Sequence, residues 1–321
     1  MVEVTGVDFR DTAAGRRQSW RGAKKHVKRV LGWRVPNVAM RWAVAAVRPE
    51  LRQTGRLPAP AALSEVAGVV AEERFVMLRP AACVVAKELY WGNGRRPQPA
   101  DDFAVQMFAA LARSADVLLD VGAYTGLFTL VGTTVNPKLV AHAFEIVPEV
   151  YRMLFDNCVR NRVLDRTTLH HVGIGVPGST VDMPIASGDA ALPCYYSVDM
   201  RFNDGVPIAI RSLDSFTEVA DGDARVIMKI DVEGAEAAVL EHGQSFLRTH
   251  RPDILCEVLE QADEARLARL LAPHGYRFHL VQDHELAPAG DLVPNPRHRD
   301  WLLTTQSSEQ LRDLGISVAT A

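Results

Sequence analysis

Three carboxylates stand out by position: Asp231 and Glu233 in IDVEG, and Glu257 in LCEVL. Each follows or closes a run of apolar residues that reads as a buried strand. Each would therefore lie where open α/β sheets present groups to a ligand, outside the carboxyl ends of the strands. Carboxylates there can take a proton from a hydroxyl, orient an acceptor, or together hold a divalent cation through oxygen ligands. Asp231 is the candidate base, with Glu233 and Glu257 as orienting groups. A metal is possible on this set but not expected. Strand-end acids also cap following helices, the role expected of Glu236. Lys229 precedes Asp231 by two residues, shares its side of the strand and could neutralise a carboxylate. His170, His171 and His242 are possible bases, because the ordinary range of an imidazole lies near neutrality, but nothing in their spacing singles them out.

A second group lies in LLDVGAYTGLFTL, residues 118 to 130. Gly122 at a strand tip gives a tight turn and close ligand approach, and Gly126 opens the helix that follows. The spacing is Asp-x-Gly-x-x-x-Gly, and Tyr124 occupies the place where dinucleotide binders carry their middle glycine. A nicotinamide dehydrogenase is thereby disfavoured. A ligand with an adenosine ribose but no pyrophosphate fits better, and S-adenosylmethionine is such a ligand. The next strand ends at Glu145, positioned to accept both ribose hydroxyls. A side chain at Gly122 is expected to fill the space of the cofactor while leaving the domain folded.

These groups need a scaffold, and the chain reads as one. ADVLLDV, LVAHAFEI, TTLHHVGIGV, RVIMKIDV and DILCEVL are short apolar runs. Helix-like GLFTLVGTTV, PEVYRMLFDNCVRN, GAEAAVLEHGQSFLRT and ADEARLARLLAPHG alternate with them. Such alternation predicts a parallel sheet with right-handed crossovers. GYRFHLVQ and DWLLTT have no helix between them and are expected as an antiparallel pair on one edge. Upstream, ERFVMLRP and ACVVAKELYW read as a hairpin between two Pro/Gly-rich breaks. The expected organisation is a basic helical extension over 1–60, a connector over 61–102 and an α/β domain over 103–321.

Composition narrows the class. The 321 residues are 48% hydrophobic with a net charge of −3, enough apolar content for one large core. Through Arg56 there are 13 Lys and Arg against 4 Asp and Glu, leaving 23 against 35 for the remainder. The basic start can touch an anionic membrane surface or nucleic acid, although packing of its apolar stripe on the main domain is favoured and a nucleic-acid partner is not expected. Cys83, Cys158, Cys194 and Cys256 lie far apart, as buried reduced thiols do. No apolar run approaches the length of a membrane span. A cytoplasmic location is expected.

LLDVGAYTGLFTL, AFEIVPEVYRMLFDNCVRN, RSLDSF, VIMKIDVEGAEAAVLEHG and RPDILCEV resemble, in order, the conserved blocks of FkbM-type S-adenosylmethionine-dependent methyltransferases over roughly residues 103–260. The resemblance implies a class I methyltransferase fold, Rossmann-like, with a seven-stranded sheet whose last strand is antiparallel. It implies O-methylation of a hydroxyl on a sugar or natural product. Carried onto this chain, Asp120, Gly122, Ala123 and Gly126 form the methionine side of the pocket, Glu145 holds the ribose, and Val172, Gly173 and Ile174 flank the adenine. Tyr124 stands where family members commonly carry Asn.

The acceptor is expected to be a small polyhydroxylated molecule. Residues 184–210, with Tyr195, Tyr196 and Met200, would form part of its wall, aided by the expected hairpin near Trp91, because connections of that length are usually functional. Two other readings share the fold: an RNA methyltransferase recruited through the basic start, and a non-catalytic adenosine-binding module.

Overall fold

The computed structural model describes residues 57–184 and 205–320, together with Met40. The basic segment up to residue 56, Met40 apart, and residues 185–204 of the expected acceptor loop, with Tyr195, Tyr196 and Met200, therefore fall outside the described residues, as does Cys194, while residues 205–210 of that expected loop form a strand. Strands β1 (Glu65–Val70) and β2 (Glu73–Leu78) pair antiparallel. Ala71 and Glu72 join them with φ of 47° and 72°, the primed turn geometry that matches strand twist. ACVVAKELYW is not a strand but helix α1 (Val84–Trp91). Its buried residues Ala86, Leu89 and Tyr90 recur at i, i+3 and i+4, and the Cys83 sulfur caps it by accepting from the Ala86 amide at 3.4 Å. Helix α2 (Pro99–Ala112) has Pro at its first position and Asp101 and Asp102 in its first turn, as the helix dipole favours.

The α/β part runs β3 (Val117–Val121), α3 (Leu127–Val135), β4 (Val140–Phe144), α4 (Pro148–Asn161), β5 (Thr167–His170), β6 (Gly173–Ile174), β7 (Thr180–Pro184), β8 (Gly205–Arg211), β9 (Val226–Ile230), α5 (Glu236–Glu241), α6 (Gln244–His250), β10 (Asp253–Glu257), α7 (Glu264–Leu271), β11 (Arg277–Val281), β12 (Leu286–Ala289), β13 (Asp300–Thr304) and α8 (Ser308–Asp313). The main sheet has the order β12-β11-β13-β10-β9-β3-β4-β5. From β5 through β10 neighbouring strands are parallel, and β13 is antiparallel to both β10 and β11. The expected seven strands are thus present. An eighth, β12, adds antiparallel to β11 and takes the edge expected for the β11/β13 pair.

Along β3 the side chains alternate between two cores. Leu118 joins Phe108, Leu130 and Ala141 on one face, while Val117, Leu119 and Val121 join Met228, Ile230 and Phe246 on the other. A strand buried on both faces reads as a near-continuous apolar run, the pattern of VLLDV apart from Asp120. Cys83, Cys158 and Cys256 are buried and free.

Two expected elements divide. GAEAAVLEHGQSFLRT breaks at His242–Gly243 into α5 and α6, because the Asp214 amide donates to the His242 carbonyl (3.1 Å) and a Cβ on Gly243 would sit 2.6 Å from Leu213. TTLHHVGIGV leaves the main sheet after His170, and β6 pairs with β8 instead. The hairpin is fastened to α4 by two asparagines one turn apart. Asn157 accepts from the Leu78 amide (2.9 Å) and donates to the Thr125 carbonyl (2.8 Å). Asn161 accepts from the Val76 amide (2.8 Å) and donates to the Val76 carbonyl (2.7 Å), as a neighbouring strand would.

Candidate active site

The turn after β3 is set by backbone contacts on both sides. The amides of Gly122 and Ala123 both donate to the Phe144 carbonyl, at 3.1 and 2.9 Å, and the Asp231 amide donates to the Val121 carbonyl at 2.9 Å. Gly122 has φ of +81°, and a Cβ there would lie 1.8 Å from the Asp231 carbonyl oxygen. The glycine is therefore required by the approach of the β9 backbone. This corrects the expectation that a side chain at Gly122 would leave the domain folded. Tyr124 also adopts a left-handed conformation, φ +49°, which Asn tolerates better than bulky residues.

Asp120 and Glu145 are both buried. Asp120 Oδ2 accepts from the amide and hydroxyl of Thr129, at 2.9 and 2.6 Å, so it caps the first turn of α3. Burial outweighs those bonds and lifts its pKa to about 6. Glu145 Oε1 accepts the Val147 amide at 2.7 Å, with the Tyr124 and Ile146 amides also bonded to its carboxylate. Burial again dominates, with a pKa pushed to about 7. Gly126, φ +90°, opens α3 and would bring a Cβ within 2.6 Å of Leu154. Val172 and Gly173 follow β5, but the Ile174 side chain points into the core with Phe144 and Leu213.

On the other side of the Gly122 turn, Asp231, Glu233 and Glu257 converge, each offering an oxygen within 4.8 Å of the others. They line a cavity of about 490 Å³ with Glu260, Gln261, Pro296 and Arg299. Burial, reinforced by the Asp231 charge, raises Glu233 to about 7. Burial and Asp231 likewise raise Glu257 to about 8, against the opposing charges of Lys229 and Arg299. Arg299 Nη1 lies 3.2 Å from Glu257. Glu233 has φ of +52° and leads into Gly234, whose amide donates to Glu236 Oε1 at 3.0 Å, the capping role expected of Glu236.

Lys229 lies beneath this set and is only 3% exposed. Its Nζ donates to Asp300 Oδ1 at 3.0 Å and lies 3.5 Å from Asp231 Oδ2. Burial alone would lower its pKa, but Asp300, Asp231 and Glu257 together outweigh burial and raise it. A second cavity of about 300 Å³, lined by Gln98, Asp101, His298 and Asp300, shares Pro296 and Arg299 with the first. Trp91, expected near the acceptor, is instead buried against Ala59 and Tyr90. His170 stacks on Phe144 and contacts His142 at 3.1 Å, and His171 bonds the Ile146 carbonyl.

Asp300, Arg299, Gln98 and Asp101 escape sequence reasoning. The signal for the first two is the run RHRDWLLT, in which RHR directly precedes DWLLT. An antiparallel strand beside β10 brings its own start to the carboxyl edge, and Asp300 is the ladder partner of Glu257.

A sheet of this order, with a glycine turn after its first strand, a buried acid after the second and a reversed strand next to the fifth, defines a class I methyltransferase, the S-adenosylmethionine-dependent architecture. Residues 120–278 match the methyltransferase FkbM domain, and the chain belongs to that methyltransferase family. It is 29% identical over 199 residues to 31-O-demethyl-FK506 methyltransferase FkbM of Streptomyces tacrolimicus, covering 53% of this chain and 76% of that protein. Among solved structures it is similar to methyltransferase FkbM from Methylobacillus flagellatus KT, at 18% identity and a TM-score of 0.41, covering 60% of this chain and 44% of that one. It is also similar to M. jannaschii TYW2 in complex with AdoMet, at 13% identity and a TM-score of 0.40, covering 75% of this chain and 84% of that one. No helix among the described residues is long and apolar enough to cross a membrane.

Proposed function

We propose that the protein transfers a methyl group from S-adenosylmethionine to a hydroxyl of a small polyhydroxylated molecule, a sugar or a secondary metabolite. The observation that carries this reading is the meeting of Asp231, Glu233 and Glu257 on a cavity whose edge adjoins the Gly122 turn. Hydroxyl acceptors must lose a proton, and a carboxylate within hydrogen-bond reach of the hydroxyl can take it. The name of the S. tacrolimicus relative, which specifies an O-demethylated acceptor, supports an oxygen as the target.

The residues on the cofactor side fit S-adenosylmethionine. Glu145 is an acceptor-only carboxylate at the end of β4, buried beside a turn whose close backbone packing excludes a side chain at Gly122. Glu145 accepts the ribose hydroxyls, the Asp120-capped start of α3 faces the methionine portion, and Val172 and the Gly173 backbone flank the adenine. When bound, the cofactor supplies a methyl group activated on a sulfonium. Asp231 takes the acceptor proton, while Glu233 and Glu257 orient the hydroxyl so that its lone pair lies in line with the methyl carbon.

Asp231→Asn tests the assignment. With sugars, polyols and macrolides as acceptors, and release of S-adenosylhomocysteine as the readout, turnover should fall by about 10²- to 10⁴-fold. Affinity for S-adenosylhomocysteine should be unchanged, and EDTA should not affect the unmodified protein. Near-normal turnover in the variant, with and without chelator, removes Asp231 from the chemistry. Loss of wild-type turnover in EDTA, restored by magnesium, replaces the base by a metal.

A further inference from the structure

Resting on this reading of the carboxylate site, one feature beneath it has no role yet. Three carboxylates with oxygens within 4.8 Å of one another repel unless positive charge stands among them. A divalent ion is one source of that charge, and a buried ammonium is another. Lys229 is fully enclosed in β9, and its alternation with Asp231 along the strand sets it under that side chain. Asp300, on the antiparallel β13, fixes Nζ from the far side at 3.0 Å, leaving Asp231 Oδ2 at 3.5 Å. The Phe128 ring lies 5.5 Å from Nζ. Arg299 pairs with Glu257 at 3.2 Å. Two of the three carboxylates thus already face a side-chain cation, and a further doubly charged ion would meet the repulsion of both.

We propose that Lys229, clamped by Asp300, is the fixed counter-cation of the carboxylate site, a positioning residue that holds Asp231 in its orientation and keeps the set from recruiting a divalent ion. Sequence position makes the design compact. Lys229, Asp231 and Glu233 alternate in KIDVE, while Asp300 arrives from more than sixty residues later in the chain.

Binding of Mn²⁺ to the full chain at pH 8, followed by the electron paramagnetic resonance signal of the free ion, tests this without any methyl acceptor. The unmodified protein should show no saturable binding at millimolar Mn²⁺. Lys229→Met should bind it at least about tenfold more tightly, because carboxylates freed of their cation are hard oxygen ligands. Lys229→Arg should restore exclusion, and Glu233→Gln added to Lys229→Met should abolish the gained binding. If Lys229→Met does not fold, Lys229→Met/Asp300→Asn removes the opposite charges together and carries the same expectation. Equal Mn²⁺ affinity with and without the lysine, whether tight or absent, overturns the proposal. The base assignment fails on turnover of Asp231→Asn instead, so the two failures are separable.

Discussion

The two halves of the site are built from different materials. On the β3–β4 side, geometry is set by backbone: amides of Gly122 and Ala123 share one carbonyl, backbone amides hold Glu145, and a glycine is demanded by a passing strand. On the β9–β10–β13 side it is set by charged side chains, Lys229, Asp231, Glu233, Glu257, Arg299 and Asp300, drawn from separated parts of the chain. A cofactor common to a whole class can be met by backbone, which is insensitive to side-chain substitution. An acceptor that differs between proteins is met by side chains, which can be exchanged without disturbing the sheet.

Gly122→Ala tests the backbone half most severely. Its methyl group collides with the Asp231 carbonyl oxygen, and relief requires parting β3 from β9, so stability should drop by about 3 kcal/mol or more. Urea denaturation measures it. An unaltered midpoint would show that the turn can relax and that the halves are less distinct than described. Glu145→Ala should weaken S-adenosylhomocysteine binding by about 1–3 kcal/mol, since a carboxylate acceptor of hydroxyl hydrogen bonds is lost. With Glu145 titrating at about 7, binding by the unmodified protein should also weaken as pH falls below that value, and calorimetry across pH 6–8 checks both. Unchanged affinity in the variant takes Glu145 out of the pocket.

The charge-built half should show itself in the pH dependence of stability. Glu257 stands at about 8 in the folded chain against an ordinary 4.5. Between those values the folded state binds more protons than the unfolded one, so stability falls as pH rises through this window. A decline of roughly 1–2 kcal/mol between pH 6 and 8 is expected, and Glu257→Gln should flatten it. Denaturation curves that are parallel for the two proteins would mean that the cluster holds its charge at no cost. The smallest effect is expected from Asn161→Ala, at about 1–2 kcal/mol from two lost bonds to Val76. It should leave cofactor affinity intact, and a large change in affinity would tie the hairpin to the turn more closely than its contacts imply.

What could be read from sequence was whatever repeats locally. The alternation of apolar runs and amphipathic stretches determined the parallel sheet, because a strand buried on both faces has no other composition available. Helix α4 falls on PEVYRMLFDNCVRN residue for residue, since Pro148 and the recurrence of Val150, Leu154 and Cys158 are local signals. The strand-end positions of Glu145, Asp231 and Glu257 follow from the same periodicity. Where local signals compete, sequence pattern and structure differ: ACVVAKELYW carries β-branched residues but is a helix, and the α5–α6 break answers to Leu213 and Asp214, which approach from elsewhere in the chain. Only the tertiary structure decided that Gly122 serves the β9 backbone, that Ile174 belongs to the core, and that Asp300 and Arg299 complete the carboxylate site. Each depends on which strand lies beside which. Insertion of β13 between β10 and β11 is settled by long-range packing, and no short stretch of sequence carries that information.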